Sequence, residues 1–146
     1  MSSIGQTLSA LKISNAYLVA NSALVYDGFT RLQDTAIDLL TTRPELNGRG
    51  MGRVVFHFLE GYDKSNFMSE IPGTDRVMCP TQERALIDYL RYPEIQEEEQ
   101  LLQAFLDYAK THDKFDALYN VGAFYSVSQE RIDKVIEESY SLLESE

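Results

Sequence analysis

Residues 79–90, with the sequence CPTQERALIDYL, divide the chain into two parts of different character. Pro80 suits the first position of an α-helix, and Arg84 stands four residues before Asp88, a spacing at which opposite charges can pair. The apolar residues of the stretch fall on one face of such a helix: Ala85, Leu86, Tyr89 and Leu90. We therefore expect a helix that begins at Pro80.

The part of the chain that follows this stretch has the period of amphipathic helices. Apolar stripes predict helices over residues 95–110, over residues 114–121 with an end near Gly122, and from just after Ser128 onward. The first of these helices carries consecutive acidic residues in its first half: Glu97, Glu98 and Glu99. Acidic side chains there complement the helix dipole.

The part that precedes the stretch favours short strands. Residues 16–20 resemble a buried strand, and residues 22–26 a short helix that would end at Gly28. Residues 36–42 and 53–60 are rich in β-branched and aromatic residues, and the proline and glycines between them indicate a hairpin with a mobile connection. A further short strand is expected at residues 76–78. The predicted fold is one α/β (α+β) domain over residues 1–146, with a small mixed sheet in the N-terminal half and a helical C-terminal half.

Composition limits the classes of function. The chain has 146 residues, of which 44% are hydrophobic, enough for one core, and no apolar run approaches the roughly 20 residues of a membrane span. The first residues lack the pattern of a secretory signal, so we expect a cytoplasmic protein without membrane contact. The formal net charge is −10, and residues 92–146 carry thirteen Asp/Glu against four Lys/Arg. This excess of negative charge disfavours direct DNA binding. It agrees either with an acidic surface that is simply exposed to water or with a surface that binds a basic partner.

No pattern in the sequence indicates catalysis, a metal or a cofactor. His57 and His112 have no metal-ligand spacing, and Cys79 is best interpreted as an inert residue at a helix start. Residues 48–52, GRGMG, lack the GK[ST] ending of a phosphate-binding loop. The alternative to a protein that acts by binding is a phosphate-processing enzyme. It would use residues that form no ordered motif: Asp38, Arg43, Arg49 and His57.

Two segments, residues 20–30 (ANSALVYDGFT) and residues 79–88 (CPTQERALID), together resemble the antitoxin domain of the AbiEi family in order and spacing. In that family a helix and turn are followed by strands, then by a helix start that leads into a helical C-terminal part. Asp27 stands where the family usually has His, and Cys79 where Ser commonly caps the helix. Residues 120–122, Asn-Val-Gly, replace a frequent Arg-Leu-Gly. The family's N-terminal winged helix, which binds promoter DNA, is not expected before Leu8.

The resemblance implies an antitoxin that counteracts a nucleotidyltransferase-type toxin, by direct contact or indirectly. Candidate partner-binding residues come from the two motifs and from the acidic helix: Tyr26, Asp27, Thr30, Arg84, Asp88, Glu97, Glu98 and Glu99. A non-catalytic regulatory or interaction module derived from such an antitoxin is the alternative. A homo-oligomer is compatible with both.

Overall fold

The computed structural model describes residues 4–26, 36–95 and 98–144. Within these ranges the elements are α1 Ile4–Ala10, α2 Ala20–Tyr26, β1 Ile37–Thr41, a 3-10 turn Pro44–Leu46, β2 Gly50–Met51, β3 Val54–Phe58, β4 Met68–Glu70, β5 Met78–Pro80, α3 Gln82–Arg91, a 3-10 turn Pro93–Ile95, α4 Glu98–Thr111, α5 Asp116–Phe124 and α6 Gln129–Glu144. The predicted α+β class, with strands in the first half and a helical second half, is confirmed.

The first sheet corrects the expected hairpin. β1 and β3 run parallel, with Ile37 opposite Val54 and Thr41 opposite Phe58. The hairpin is instead formed by β2 and β3, in the strand order β1-β3-β2. The β-branched and aromatic content of both segments identified them as strands, but composition does not determine whether two strands pair in parallel or antiparallel.

The glycine-rich segment that was expected to be mobile is bonded to β3. The Gly48 amide donates to the Phe56 carbonyl at 2.8 Å, and the Phe56 amide donates to the Arg49 carbonyl at 2.9 Å. The turn between β2 and β3 contains Gly52 at a φ of 61°, a value that glycine adopts without steric cost. This segment is therefore the edge of the sheet and is not followed by a helix.

Residues 14–18 join the first sheet to the second, which contains β4 and β5. On one side the Leu18 amide donates to the Met78 carbonyl at 2.9 Å, and on the other the Leu40 amide donates to the Tyr17 carbonyl at 3.0 Å. The β-bridge between Tyr17 and Met78 is parallel, and the β-bridge between Leu18 and Leu39 is antiparallel. The expected strand at residues 16–20 is thus a pair of isolated bridges, and α2 begins at Ala20.

Helix α3 begins two residues later than expected. Cys79 and Pro80 belong to β5, which pairs with β4, and Cys79 is buried. Thr81 is the N-cap, and its hydroxyl accepts a hydrogen bond from the Arg84 amide at 3.4 Å. Because Pro80 lacks an amide hydrogen, it stands at the end of a short strand without breaking a required bond.

Helix α3 occupies the centre of the molecule. It packs against α2 and β5 on the side of the sheets, and against α5 and α4 in the helical half, where α4 also packs against α6. Its residues from Arg84 to Leu90 are all buried, and Leu86 and Ile87 have no exposed surface. No helix of the described residues combines the length and the apolar character that a membrane crossing requires.

Helix α5 continues past Gly122, where the sequence predicted its end. Gly122 lies inside the helix, at the point where α6 approaches the α5 backbone closely. A Cβ at this position would lie 2.7 Å from Ile132 Cδ1 and 2.9 Å from the Val127 carbonyl oxygen. The glycine therefore permits close packing of two helices rather than a left-handed helix end.

This packing generates a stability prediction. Gly122→Ala should lower the free energy of unfolding by about 1–3 kcal/mol, because overpacking at a backbone carbonyl outweighs the roughly 1 kcal/mol by which alanine favours a helix. Asn120→Ala, at an exposed position of the same helix, is the control and should not destabilise the protein. Urea denaturation followed by circular dichroism measures both, and an unchanged midpoint for Gly122→Ala would refute the close approach.

Candidate interaction site

The Arg84 guanidinium is enclosed at the junction of the two halves. Arg84 has no exposed surface, and its Nη1 and Nη2 donate to the carbonyls of Asn66 and Asp63, each at 2.6 Å. Its Nε lies 3.3 and 3.2 Å from the two carboxylate oxygens of Asp88. The i, i+4 pair that the sequence predicted therefore exists, but it is buried and also holds the loop that precedes β4.

Two tyrosine rings complete this enclosure. The guanidinium carbon of Arg84 lies 4.5 Å from the ring centroid of Tyr62 and 4.9 Å from that of Tyr125. The Tyr62 hydroxyl donates to Asp88 at 2.9 Å, and the Tyr125 hydroxyl donates to Asp63 at 2.8 Å. We call these five residues, Tyr62, Asp63, Arg84, Asp88 and Tyr125, the arginine cluster. It connects the sheets, α3 and the end of α5.

The ionisation of the cluster follows from burial and from its hydrogen bonds. Burial raises the pKa of Asp88, while the Arg84 guanidinium opposes that shift. Asp63 is in the opposite situation, since hydrogen bonds from the Asn66 side chain and the Ser65 amide lower its pKa to about 2. Burial raises the pKa of Tyr125, and its hydrogen bond to Asp63 adds to that effect. Neutral tyrosines thus surround one buried cation.

An exposed group of aromatic rings lies directly on the arginine cluster. Phe67 is 37% exposed and Phe124 is 56% exposed, and their ring centroids lie 5.3 Å apart in an edge-to-face arrangement. Tyr125 contacts both rings, and Arg91 lies 4.2 Å from the Tyr125 ring centroid. We call Phe67, Phe124, Tyr125 and Arg91 the aromatic patch. Phe67 and Phe124 are its exposed members, whereas Tyr125 and Arg91 are half-buried. Aromatic and arginine side chains are enriched at protein interfaces.

The backbone at Phe67 is fixed in an unusual conformation. Its φ is 56°, which is rare for a bulky residue. The Phe67 carbonyl accepts a hydrogen bond from the Thr81 amide at 2.9 Å, and the carbonyl of the preceding Asn66 accepts from Arg84. Helix α3 therefore holds the loop so that the Phe67 ring faces the α5 end. Nothing in the local sequence around Phe67 predicted this placement.

Many Asp and Glu side chains of the C-terminal half are exposed to solvent. They are Glu94, Glu99, Asp113, Asp116, Glu130, Asp133, Glu137 and Glu138. None of them forms an ion pair with another of the described residues. Their field is therefore directed to solvent, where it favours an approaching basic surface.

A second polar cluster ties α2 to the first sheet. Asp38 lies 2.7 Å from His57 Nε2 through one carboxylate oxygen, and its other oxygen accepts from both the amide and the hydroxyl of Ser22 at 3.1 Å. His57 thus has a partner in the Asp38 carboxylate. The Ser22 hydroxyl contacts the carboxylate instead of the imidazole and is fully buried, so it is not aligned as a nucleophile that His57 would activate.

Of the four sequence candidates for phosphate chemistry, Asp38 and His57 are in contact with each other. Arg43 is exposed and pairs with Glu45 at 2.7 Å. His57 and Asp38 lie on the neighbouring strands β3 and β1, whereas Arg43 and Arg49 flank the first 3-10 turn. In the described ranges, no three His, Cys, Asp or Glu side chains are grouped so that they could hold a metal ion.

The predicted partner-binding residues fall in three situations. Arg84 and Asp88 are buried in the arginine cluster, so in this structure they position other groups rather than face solvent. Tyr26 ends α2 and Glu98 begins α4, and Glu99 is exposed on α4. The other predicted residues lie outside the described ranges: Asp27, Thr30 and Glu97.

No protein-family model matches the chain, and no curated protein matches it either. The resemblance to AbiEi antitoxins accordingly depends on the two motifs and their order.

The arginine cluster yields a prediction about folding. Arg84→Met should lower the free energy of unfolding by about 3–5 kcal/mol, because it leaves the Asp88 carboxylate buried without its main partner. The double variant Arg84→Met/Asp88→Asn should recover part of this loss, since it removes the unpaired charge. Urea titrations of both variants and of the parent measure the difference, and a single variant as stable as the parent would contradict the burial of this pair.

Proposed function

We propose that this chain is an antitoxin of an AbiE-like toxin–antitoxin system and that it counteracts a nucleotidyltransferase-type toxin. One observation carries the proposal: the two motifs of the resemblance, far apart in sequence, belong to elements that pack on each other. Helix α2, from the first motif, packs on α3, from the second. Ala20 and Ala23 of the first and Ala85 and Asp88 of the second line one small buried cavity of about 10 Å³. The described parts of the two motifs therefore pack against each other, which supports their interpretation as one signature.

Direct contact with the toxin is the mode that the surface favours. An enzyme that handles RNA needs a basic surface for phosphate groups, and the exposed carboxylates of the helical half are complementary in charge to such a surface. The antitoxin would compete with RNA for that surface. Charged groups of this type mainly accelerate the encounter of the two proteins and select the partner.

Affinity requires a second contribution, and the aromatic patch can supply it. Phe67 and Phe124 expose apolar rings that pack on Tyr125 of the arginine cluster. Because these contacts already restrict the rings, a partner that covers them would lose less conformational entropy than one that orders free side chains. Residues of this kind dominate binding energy in many interfaces. In this proposal the carboxylates steer the toxin and the aromatic patch anchors it.

Charge reversal on α6 tests the steering role. The double variant Glu137→Lys/Glu138→Lys, at two exposed positions, should weaken toxin binding by about threefold to tenfold at low salt and reduce growth rescue on co-expression with an AbiEii-like toxin. Glu60→Lys/Glu70→Lys reverses two exposed charges in the sheet half and is the matched control. The effect should shrink as salt rises, because charges are screened over about 8 Å at physiological ionic strength.

Equal rescue and equal affinity for both double variants would eliminate the helical half as the steering surface. Absence of rescue by the parent chain, with the toxin expressed and the antitoxin folded, would eliminate the antitoxin function itself.

Truncation of the aromatic patch tests the anchor. Phe124→Ser should weaken the complex by about thirtyfold, which corresponds to roughly 2 kcal/mol at a binding hot spot. Tyr140→Ser removes another exposed aromatic ring from a C-terminal helix, 41% exposed as against 56% for Phe124, and should leave affinity within twofold. Calorimetric titration with the purified toxin gives both values. Equal losses for the two variants would assign no special role to the patch.

A further inference from the structure

An open cleft lies against β1 and β3 of the first sheet. It has a volume of about 520 Å³, within the range of sites that hold small molecules. Leu39, Thr41 and Phe56 line it from the sheet, and residues 12–17 and Lys64 close its sides. It is separate from the arginine cluster and from the exposed carboxylates of the helical half.

The charge of this cleft is opposite to that of the protein. The net charge of the chain is −10, yet the described residues that line the cleft include Lys12 and Lys64 and no Asp or Glu. Both lysines are exposed, and neither forms an ion pair with another described residue. Two unneutralised ammonium groups at one cleft of an acidic protein create a local preference for an anion.

The position of the cleft agrees with a general property of parallel strands. Thr41 is the last residue of β1, which runs parallel to β3, and Thr42 follows it at the rim of the cleft. Ligands of open α/β sheets bind in crevices at the carboxyl ends of parallel strands. Hydroxyl groups at that end, from Ser14, Thr41 and Thr42, are suitable donors to phosphate oxygens.

The other walls of the cleft are apolar and aromatic. Tyr17 and Phe56 are half-buried, and the Lys64 ammonium lies 6.0 Å from the Tyr17 ring centroid. Ring systems stack favourably on such side chains. An adjoining cleft of about 450 Å³ shares Lys12 and Ser14 with this one but also contains Asp75. The Asp75 carboxylate would repel a phosphate group and would accept a hydrogen bond from a ligand hydroxyl. The combination favours a ligand with both a phosphate and a planar ring.

We propose that this cleft binds a mononucleotide, with the phosphate between Lys12 and Lys64 and the base against Tyr17 and Phe56. The ribose would extend toward the adjoining cleft and Asp75. This inference is independent of the antitoxin function, because it uses neither the aromatic patch nor the acidic helices.

Titration of the isotope-labelled protein with the four nucleoside 5′-monophosphates, followed by NMR, tests the site. We expect saturable shifts for the amides of residues 12–17, Thr41, Thr42 and Lys64, and binding of at least one nucleotide about tenfold tighter than of the matching nucleoside or of inorganic phosphate. Tighter binding of phosphate alone than of every nucleotide would overturn the role of the ring wall.

A pair of lysine variants completes the test. Lys12→Gln/Lys64→Gln should weaken nucleotide binding by about tenfold or more, since it removes both charge-assisted contacts to the phosphate. Lys110→Gln/Lys134→Gln removes two exposed lysines of the helical half and should leave the affinity within twofold. Absence of binding by the folded parent at millimolar nucleotide, or equal losses for the two double variants, would overturn the proposal.

Discussion

The fold depends on the complete burial of one cation. A guanidinium without water must find partners for its donors inside the protein, because an unpaired buried charge costs several kcal/mol. Arg84 meets this requirement with a carboxylate on its own helix, two carbonyls of the loop before β4 and two tyrosine rings. Each of these groups is in turn positioned by its contact with the guanidinium. The exposed rings of Phe67 and Phe124 are therefore displayed by a rigid support rather than by a free loop.

A second constraint acts on the sheets. Each sheet alone is small, with three strands in one and two in the other. Sheets of this size are marginal unless their edges are covered or paired. The backbone of residues 14–18 bonds to both sheets, so that it closes an edge of each and aligns them beneath α2 and α3. The cleft beside Tyr17 lies where this segment meets the first sheet, since residues 14–17, Leu39 and Phe56 all line it.

The sequence predicted local structure better than it predicted assembly. Periodicity located the helices of the second half, and β-branched and aromatic content located both long strands, since both signals are local properties of the chain. The sequence paired β1 with the correct strand but in the wrong direction, because the direction of pairing depends on the whole connection. It predicted the end of α5 at Gly122 because glycine is common at helix ends as well as at close helix contacts. The spacing of Arg84 and Asp88 indicated a pair, but most such pairs are at the surface, and the aromatic rings that bury this one come from distant segments. The aromatic patch and the cleft lined by Lys12 and Lys64 were missed for the same reason: their members are scattered along the chain.

The arginine cluster also sets the order in which a newly made chain can fold. The hydrogen bond between Tyr125 and Asp63 joins residues 62 positions apart, and Arg84 lies between them in sequence. During synthesis, the central helix therefore leaves the ribosome well before the last ring that shelters its guanidinium. Because long-range contacts form late and slowly, the nascent chain must hold this cation in water until the end of α5 arrives. The arginine cluster can therefore be completed only after the end of α5 has been synthesised.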